Sequence, residues 1–158
     1  MKVDKYNLTT EMERTFNASK DDMYEAHTSA DKISQWWGPK RYQVIVEKFE
    51  PKEGGEWRIT HKGKKESGEE EEYSFYGKFL KLDKPNSIKW TFNYEPIGPG
   101  HTITETLNFE DAGEGKTSLR TDSHYSKIED LEGMVNSGME AGANEAWDRL
   151  AELVKISD

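Results

Sequence analysis

The chain has 158 residues, no cysteine and a formal net charge of -9 at pH 7. These values fit one domain able to bury its own core. They exclude disulfides, thiolate nucleophiles and cysteine metal sites, and they disfavour a broad nucleic-acid footprint. No apolar run is long enough for a membrane span, and the first residues lack a signal peptide's apolar stretch, so the expected compartment is the cytoplasm.

Leu8 to Phe16 alternates as a first strand, with Arg14 a polar interruption near the rim. Ser19 with Asp22 predicts the cap of a short helix whose inner side carries Met23, Tyr24, Ala26 and His27, the histidine lying towards its surface or edge. A second short helical piece over Ser29 to Trp37 ends at Gly38-Pro39. Strands follow over Gln43 to Glu50, Glu56 to Lys62, Tyr73 to Leu82, Ser87 to Tyr94, His101 to Glu110 and Lys116 to Tyr125. The charged stretch His61 to Glu72 reads as a solvated hairpin loop. Val44 and Val46 share one face of their strand, with Phe49 on the other. Tyr73, Phe75, Gly77 and Phe79 line one face of theirs, with Tyr76, Leu80 and Leu82 opposite. Glu105 is a polar member of an otherwise apolar face. Ser126 with Glu129 predicts a further cap, followed by a break near Asn136. Ser137, boxed with Glu140, then starts a long helix running to Ile156. Its stripe holds Met139, Ala143, Ala146, Trp147, Leu150, Leu153 and Val154. Short turns between strands indicate antiparallel pairing. The expected fold is α+β: a curved antiparallel sheet of six to seven strands around a C-terminal helix, with two short helices after the first strand.

Several pieces carry a family likeness. They are Arg14-Thr15-Phe16-Asn17-Ala18-Ser19, Trp36-Trp37-Gly38-Pro39, Gly54-Gly55-Glu56-Trp57, Gly77, and Trp147 to Leu153. In this order they resemble the Hsp90-ATPase-activator-homologue-like branch of the START/Bet v 1-like (SRPBCC) superfamily, over about residues 8 to 155. The resemblance implies a helix-grip fold with a cavity between sheet and helix that holds apolar or amphipathic ligands in many relatives. It does not fix one activity. The family name comes from a eukaryotic co-chaperone with an additional N-terminal domain used in Hsp90 binding, which this chain has no room for, so an Hsp90 interaction does not follow from the name. Ala146 stands where the family usually has glycine before the tryptophan.

Trp57, Phe75, Trp90 and Phe92 on the strands, with Met139, Ala143 and Trp147 on the helix, either fill a core or line that cavity; periodicity does not separate the two. Trp36 and Trp37 flank the expected mouth, one packing inward and the other placed to touch ligand or another protein, with Trp37 the candidate ligand contact. Tyr76, Arg120 and His124 are candidates to orient the ligand's polar end. The expected partner is therefore a small hydrophobic or amphipathic molecule, bound without cofactor or metal; no zinc spacing and no nucleotide-binding glycine loop occurs. An enzyme reading needs His124, Asp122, Glu105 and Tyr76 to meet across curved strands. With the last hairpin centred on Gly113, His101 lies opposite Tyr125, and the histidines at 101 and 124 face opposite ways. The alternative to that enzyme reading is Glu105 paired with Arg14 or Arg120, or reaching the rim. A third class is a protein-interaction module: a homodimer through sheet edges or the tryptophans, or a co-chaperone-like contact.

Overall fold

A computed structural model describes residues 1–155. Eight strands form one antiparallel sheet: β1 (Lys2–Asp4), β2 (Thr9–Phe16), β3 (Gln43–Phe49), β4 (Glu56–Lys64), β5 (Glu70–Asp83), β6 (Ser87–Tyr94), β7 (Ile103–Asp111) and β8 (Thr117–His124). Their spatial order is β1-β2-β8-β7-β6-β5-β4-β3. The additional strand relative to expectation is β1, a three-residue edge piece paired with β2. Helices α1 (Lys20–Thr28) and α2 (Ala30–Ile33) interrupt the sheet after β2, and α3 (Ile128–Asn136) and α4 (Met139–Val154) follow it. The expected helical end at Ile156 lies outside the described residues.

The helix termini separate good cap readings from bad ones. Ser19 Oγ accepts from Asp22 N–H at 3.1 Å, as its spacing requires. The other two boxes do not form. α3 is capped by Lys127 without a side-chain bond. Ser137 closes α3 instead of opening α4, its hydroxyl donating to the Met134 carbonyl (2.6 Å). Gly138, at φ 84°, makes the corner between the two helices, and that left-handed backbone suits glycine over a β-carbon-bearing residue. Lys155 is the C-cap of α4 and pairs with Glu152.

Two bulges correct the face assignments. Register shifts between Val46 and Lys48, so Phe49 joins Val46 against the core, its ring 5.5 Å from Phe79. A second shift between Phe79 and Lys81 turns Leu82 inward and leaves Leu80 exposed. One extra residue reverses every face assignment beyond it. The charged loop after β4 is short, because strand pairing continues to Lys64↔Glu70. In the last hairpin Thr104 faces His124 and Asp111 faces Thr117. That register is two residues from the one centred on Gly113, and an even slip leaves the faces unchanged.

The core lies between the inner face of the sheet, α1 and α4. Trp147 sits edge-on to Phe16 (5.9 Å), with Leu150 fully buried beside it. Gly77 lets β5 and β6 close tightly over Trp57, whose Nε1–H donates to Thr91 O at 3.2 Å. A β-carbon at Gly77 would lie 1.8 Å from that same oxygen and 2.8 Å from Trp57 Nε1. Gly77→Ala is expected to cost about 2–3 kcal/mol through overpacking and the lost indole bond; thermal unfolding measures it, and an unchanged melting temperature would contradict this packing.

His27 lies inside, not at a helix edge: it is 2% exposed. Its ring packs 4.7 Å from Trp36 and 5.1 Å from Phe109, and its Nδ1–H donates to the Met23 carbonyl (2.8 Å). Burial pulls its pKa from 6.5 down to about 4, against the opposing Met23 bond. Between those two values the unfolded chain binds the proton and the folded chain does not. Stability is therefore fully present above 6.5 and falls as pH drops through the window, by about 3 kcal/mol in total. Denaturant titrations at about pH 7 and about pH 4 should show this loss. The near-isosteric His27→Phe should remove about that much of the difference, whereas identical pH dependence in the variant would contradict a neutral buried imidazole.

Candidate functional site

Between α4 and the inner face of the sheet lies a cavity of about 820 Å³. Its existence follows from unequal side chains on facing layers. The sheet offers Phe75 from β5, Trp90 and Phe92 from β6, and Leu107 from β7; α4 offers Gly142, Ala143 and Ala146 between Met139 and Trp147. Large rings opposite one- and zero-carbon side chains do not interdigitate to crystal-like density, so space remains.

The turn after α2 forms the wall at one side. Trp36 is buried, its Nε1–H donating to the Ala26 carbonyl (2.9 Å). Trp37 turns into the cavity and meets the rings of Phe75 (5.3 Å), Trp57 (5.7 Å) and Phe92 (6.2 Å). Gly38, at φ 142°, passes over His61; a β-carbon there would lie 2.5 Å from its Nε2. His61 Nε2–H donates to the Trp37 carbonyl (2.9 Å), and burial lowers the pKa of this ring against that bond. The turn is tied to α4 by Arg149 Nη1–H donating to Gly38 O (2.9 Å) and Lys40 N–H donating to Glu145 Oε1 (2.8 Å). Glu129, Asp130, Gly133 and Met134 of α3 form another wall, and α3 is held to the sheet by Leu131 packed with Ile103 and Tyr125.

The lining is mainly apolar, and polar side chains reach it at several places. Glu105 accepts from Trp90 Nε1–H (2.9 Å) and Ser123 Oγ–H (3.1 Å). Burial raises its pKa above the usual 4.5, and those two bonds oppose the rise. The Thr10 and Tyr125 hydroxyls bond each other at 3.0 Å. Burial raises the Tyr125 pKa, the Thr10 bond lowers it, and the charge of Glu105 raises it further. His101 Nδ1 contacts Asp130 Oδ1 at 2.7 Å. Among the described residues, Asp130 Oδ2 is buried without a hydrogen-bond partner, and no three His, Asp or Glu side chains are grouped to hold a metal ion.

Seven of the candidate ligand-contacting residues line the cavity: Trp37, Phe75, Trp90, Phe92, Met139, Ala143 and Trp147. Trp57 does not; it is 1% exposed and stacks behind Trp90 at 4.6 Å. The three polar candidates lie elsewhere. Tyr76 is on the opposite face of β5 from Phe75. Arg120 is on the outer face of β8, bonded to Glu110 (2.9 Å) and Asp122 (3.3 Å). His124 is exposed on that same face. The tetrad His124, Asp122, Glu105 and Tyr76 therefore does not assemble: Glu105 is the member turned inward. Neither arginine reaches Glu105, since Arg14 bonds Asp148 (2.8 Å) and Arg120 is engaged outside.

Among the described residues no helix is long and apolar enough to cross a membrane. No curated protein sequence matches the chain. The fold is similar to that of an Arthrobacter aurescens protein solved by NMR (TM-score 0.85, 20% identity, 97% of this chain and 89% of that one). Protein Ms6760 from Mycobacterium smegmatis is also similar (TM-score 0.82, 22% identity, 99% and 96%). An HSP90 activator from Plasmodium falciparum shares the fold at a TM-score of 0.63 (17% identity, 85% and 89%). The family model described as Activator of Hsp90 ATPase homolog 1-like protein matches residues 17–155, and the chain belongs to that family.

Proposed function

We propose that the protein binds a small hydrophobic or amphipathic molecule in the cavity between α4 and the sheet, the chain acting as one ligand-binding unit. The supporting observation is the cavity: about 820 Å³, within the range of about 300–1,000 Å³ usual for ligand sites, with mainly apolar, aromatic walls. Removing about 250 Å² of apolar ligand surface from water contributes about 6 kcal/mol before the entropy of immobilisation is subtracted. Trp37, Phe75, Phe92 and Met139 supply the apolar contact, and Glu105 with Ser123 supplies the polar one.

Native mass spectrometry of protein purified from its own host, followed by release of any bound molecule, tests this reading. A stoichiometric lipid or aromatic metabolite is expected. Ala143→Trp places an indole where the ligand would lie. It should weaken binding by about tenfold or more while leaving the melting temperature unchanged or higher, since filling a void adds contacts. Undiminished binding in this variant would contradict the cavity as the site.

An Hsp90 co-chaperone-like role is the second reading, supported by the family's description and by the fold shared with the Plasmodium activator. Stimulation of purified Hsp90 ATPase by the protein would favour it; an unchanged rate would remove it.

A further inference from the structure

Glu105 is the carboxylate that the apolar layers enclose on the sheet side of the cavity. Its oxygens each receive one hydrogen bond, from Trp90 and Ser123, while a carboxylate oxygen has room for about two. Among the described residues it has no cationic partner. Buried carboxylates are ordinarily paired with a cation, because an unpaired charge in an apolar site is costly. Near Glu105 the Trp90 N–H and Ser123 O–H are spent on Glu105 itself, while one bond links the Thr10 and Tyr125 hydroxyls and the Tyr125 hydroxyl also lies 3.9 Å from Met139 Sδ. A second acceptor, Asp130 Oδ2, is buried at the α3 wall with no partner. Arg41 lines the cavity but is largely exposed and engaged with the Tyr42 hydroxyl (2.6 Å). The cavity around Glu105 thus has acceptor capacity to spare.

We propose that the molecule held in this cavity is a cationic amphiphile, an apolar body bearing a protonated amine that donates to Glu105. This rests on the reading of the cavity as a ligand site and names the chemistry of its polar end. The aromatic wall of Trp90 and Phe92 beside Glu105 suits the same group, since aromatic faces attract cations. An ammonium also stabilises the ionised carboxylate that burial disfavours.

Three probes with one apolar tail separate the outcomes: decylamine, decanol and decanoate, titrated by calorimetry and by tryptophan fluorescence. Decylamine is expected to bind about tenfold more tightly than decanol, and decanoate more weakly than either. In Glu105→Gln, which keeps an acceptor for Trp90, the preference for amine over alcohol should vanish while decanol binding persists. The decylamine-to-decanol ratio in the native protein should also rise with pH through the titration of Glu105, and this dependence should be absent in the variant. The other ionisable groups facing the cavity are unchanged by the substitution, so the comparison isolates Glu105. They are His27 of α1, Arg41 and Tyr42 after α2, His61 of β4, Tyr73 of β5, Tyr94 of β6, His101 before β7, Tyr125 after β8, and Glu129 and Asp130 of α3. α4 presents none there.

Equal binding of decylamine and decanol would overturn the amine assignment while leaving the cavity a ligand site. A preference that survives in Glu105→Gln would also overturn it, placing the attraction on the α3 carboxylates Glu129 and Asp130 or on the acidic surface. Failure of all three probes would overturn both readings. Should that variant fail to fold, the pH profile of a Glu129→Gln, Asp130→Asn double variant decides: a ratio that still rises with pH supports the proposal and one that is flat or falls overturns it.

Discussion

The rest of the structure depends on how α4 is held against the sheet without filling the space beneath it. Its C-terminal half is pinned. Trp147 meets Phe16, Leu150 is fully buried, Arg14 reaches Asp148, and Arg149 holds the turn after α2. Its N-terminal half presents Gly142, Ala143 and Met139 to a wall of large rings. The helix is therefore anchored by one end of its stripe, and small side chains at the other end leave a gap. A leucine-rich stripe would close it, because cores pack to the density of organic crystals wherever side-chain volume allows. Cavity and anchor are two consequences of one amphipathic sequence.

Polar groups in such a space carry meaning because each is costly there. His27 and His61 are satisfied by carbonyl partners and held neutral by burial. Thr10 and Tyr125 share one hydrogen bond, and the Tyr125 hydroxyl also lies near Met139 Sδ. Glu105 retains acceptor capacity. Its place on β7 is fixed by pairing with both β6 and β8, which bring Trp90 and Ser123 opposite it, so its orientation is set by the sheet before any ligand arrives.

Much of this was legible in the sequence. Element order, antiparallel pairing, the Ser19 cap, the break after Asn136 and the stripe of α4 follow from period and turn chemistry. Face assignments failed where a bulge intervened: a single extra residue near Lys48 or Leu80 leaves no mark in hydrophobic alternation, yet it inverts Phe49 and Leu82. Cap readings failed at Ser126 and Ser137, because the spacing of a capping box says nothing about where tertiary packing starts the helix. Tyr76, Arg120 and His124 carry a different lesson. The alternation that turns Phe75, Leu119, Thr121 and Ser123 inward already turns these three outward; polar character alone made them attractive. Glu105 was visible as the polar interruption of an apolar face, the signal that best marks a group facing a cavity. The cavity itself was not legible from periodicity, since rings that line a space and rings that fill one share the same pattern.

Ligand binding here requires that space to be present and apolar in the folded protein. Diffraction from crystals held under xenon pressure tests it directly, because xenon occupies empty apolar cavities and little else. Xenon density is expected between α4 and β6, in contact with Trp90, Phe92 and Ala143. A sheet and helix in direct contact there, with no xenon bound, would contradict it.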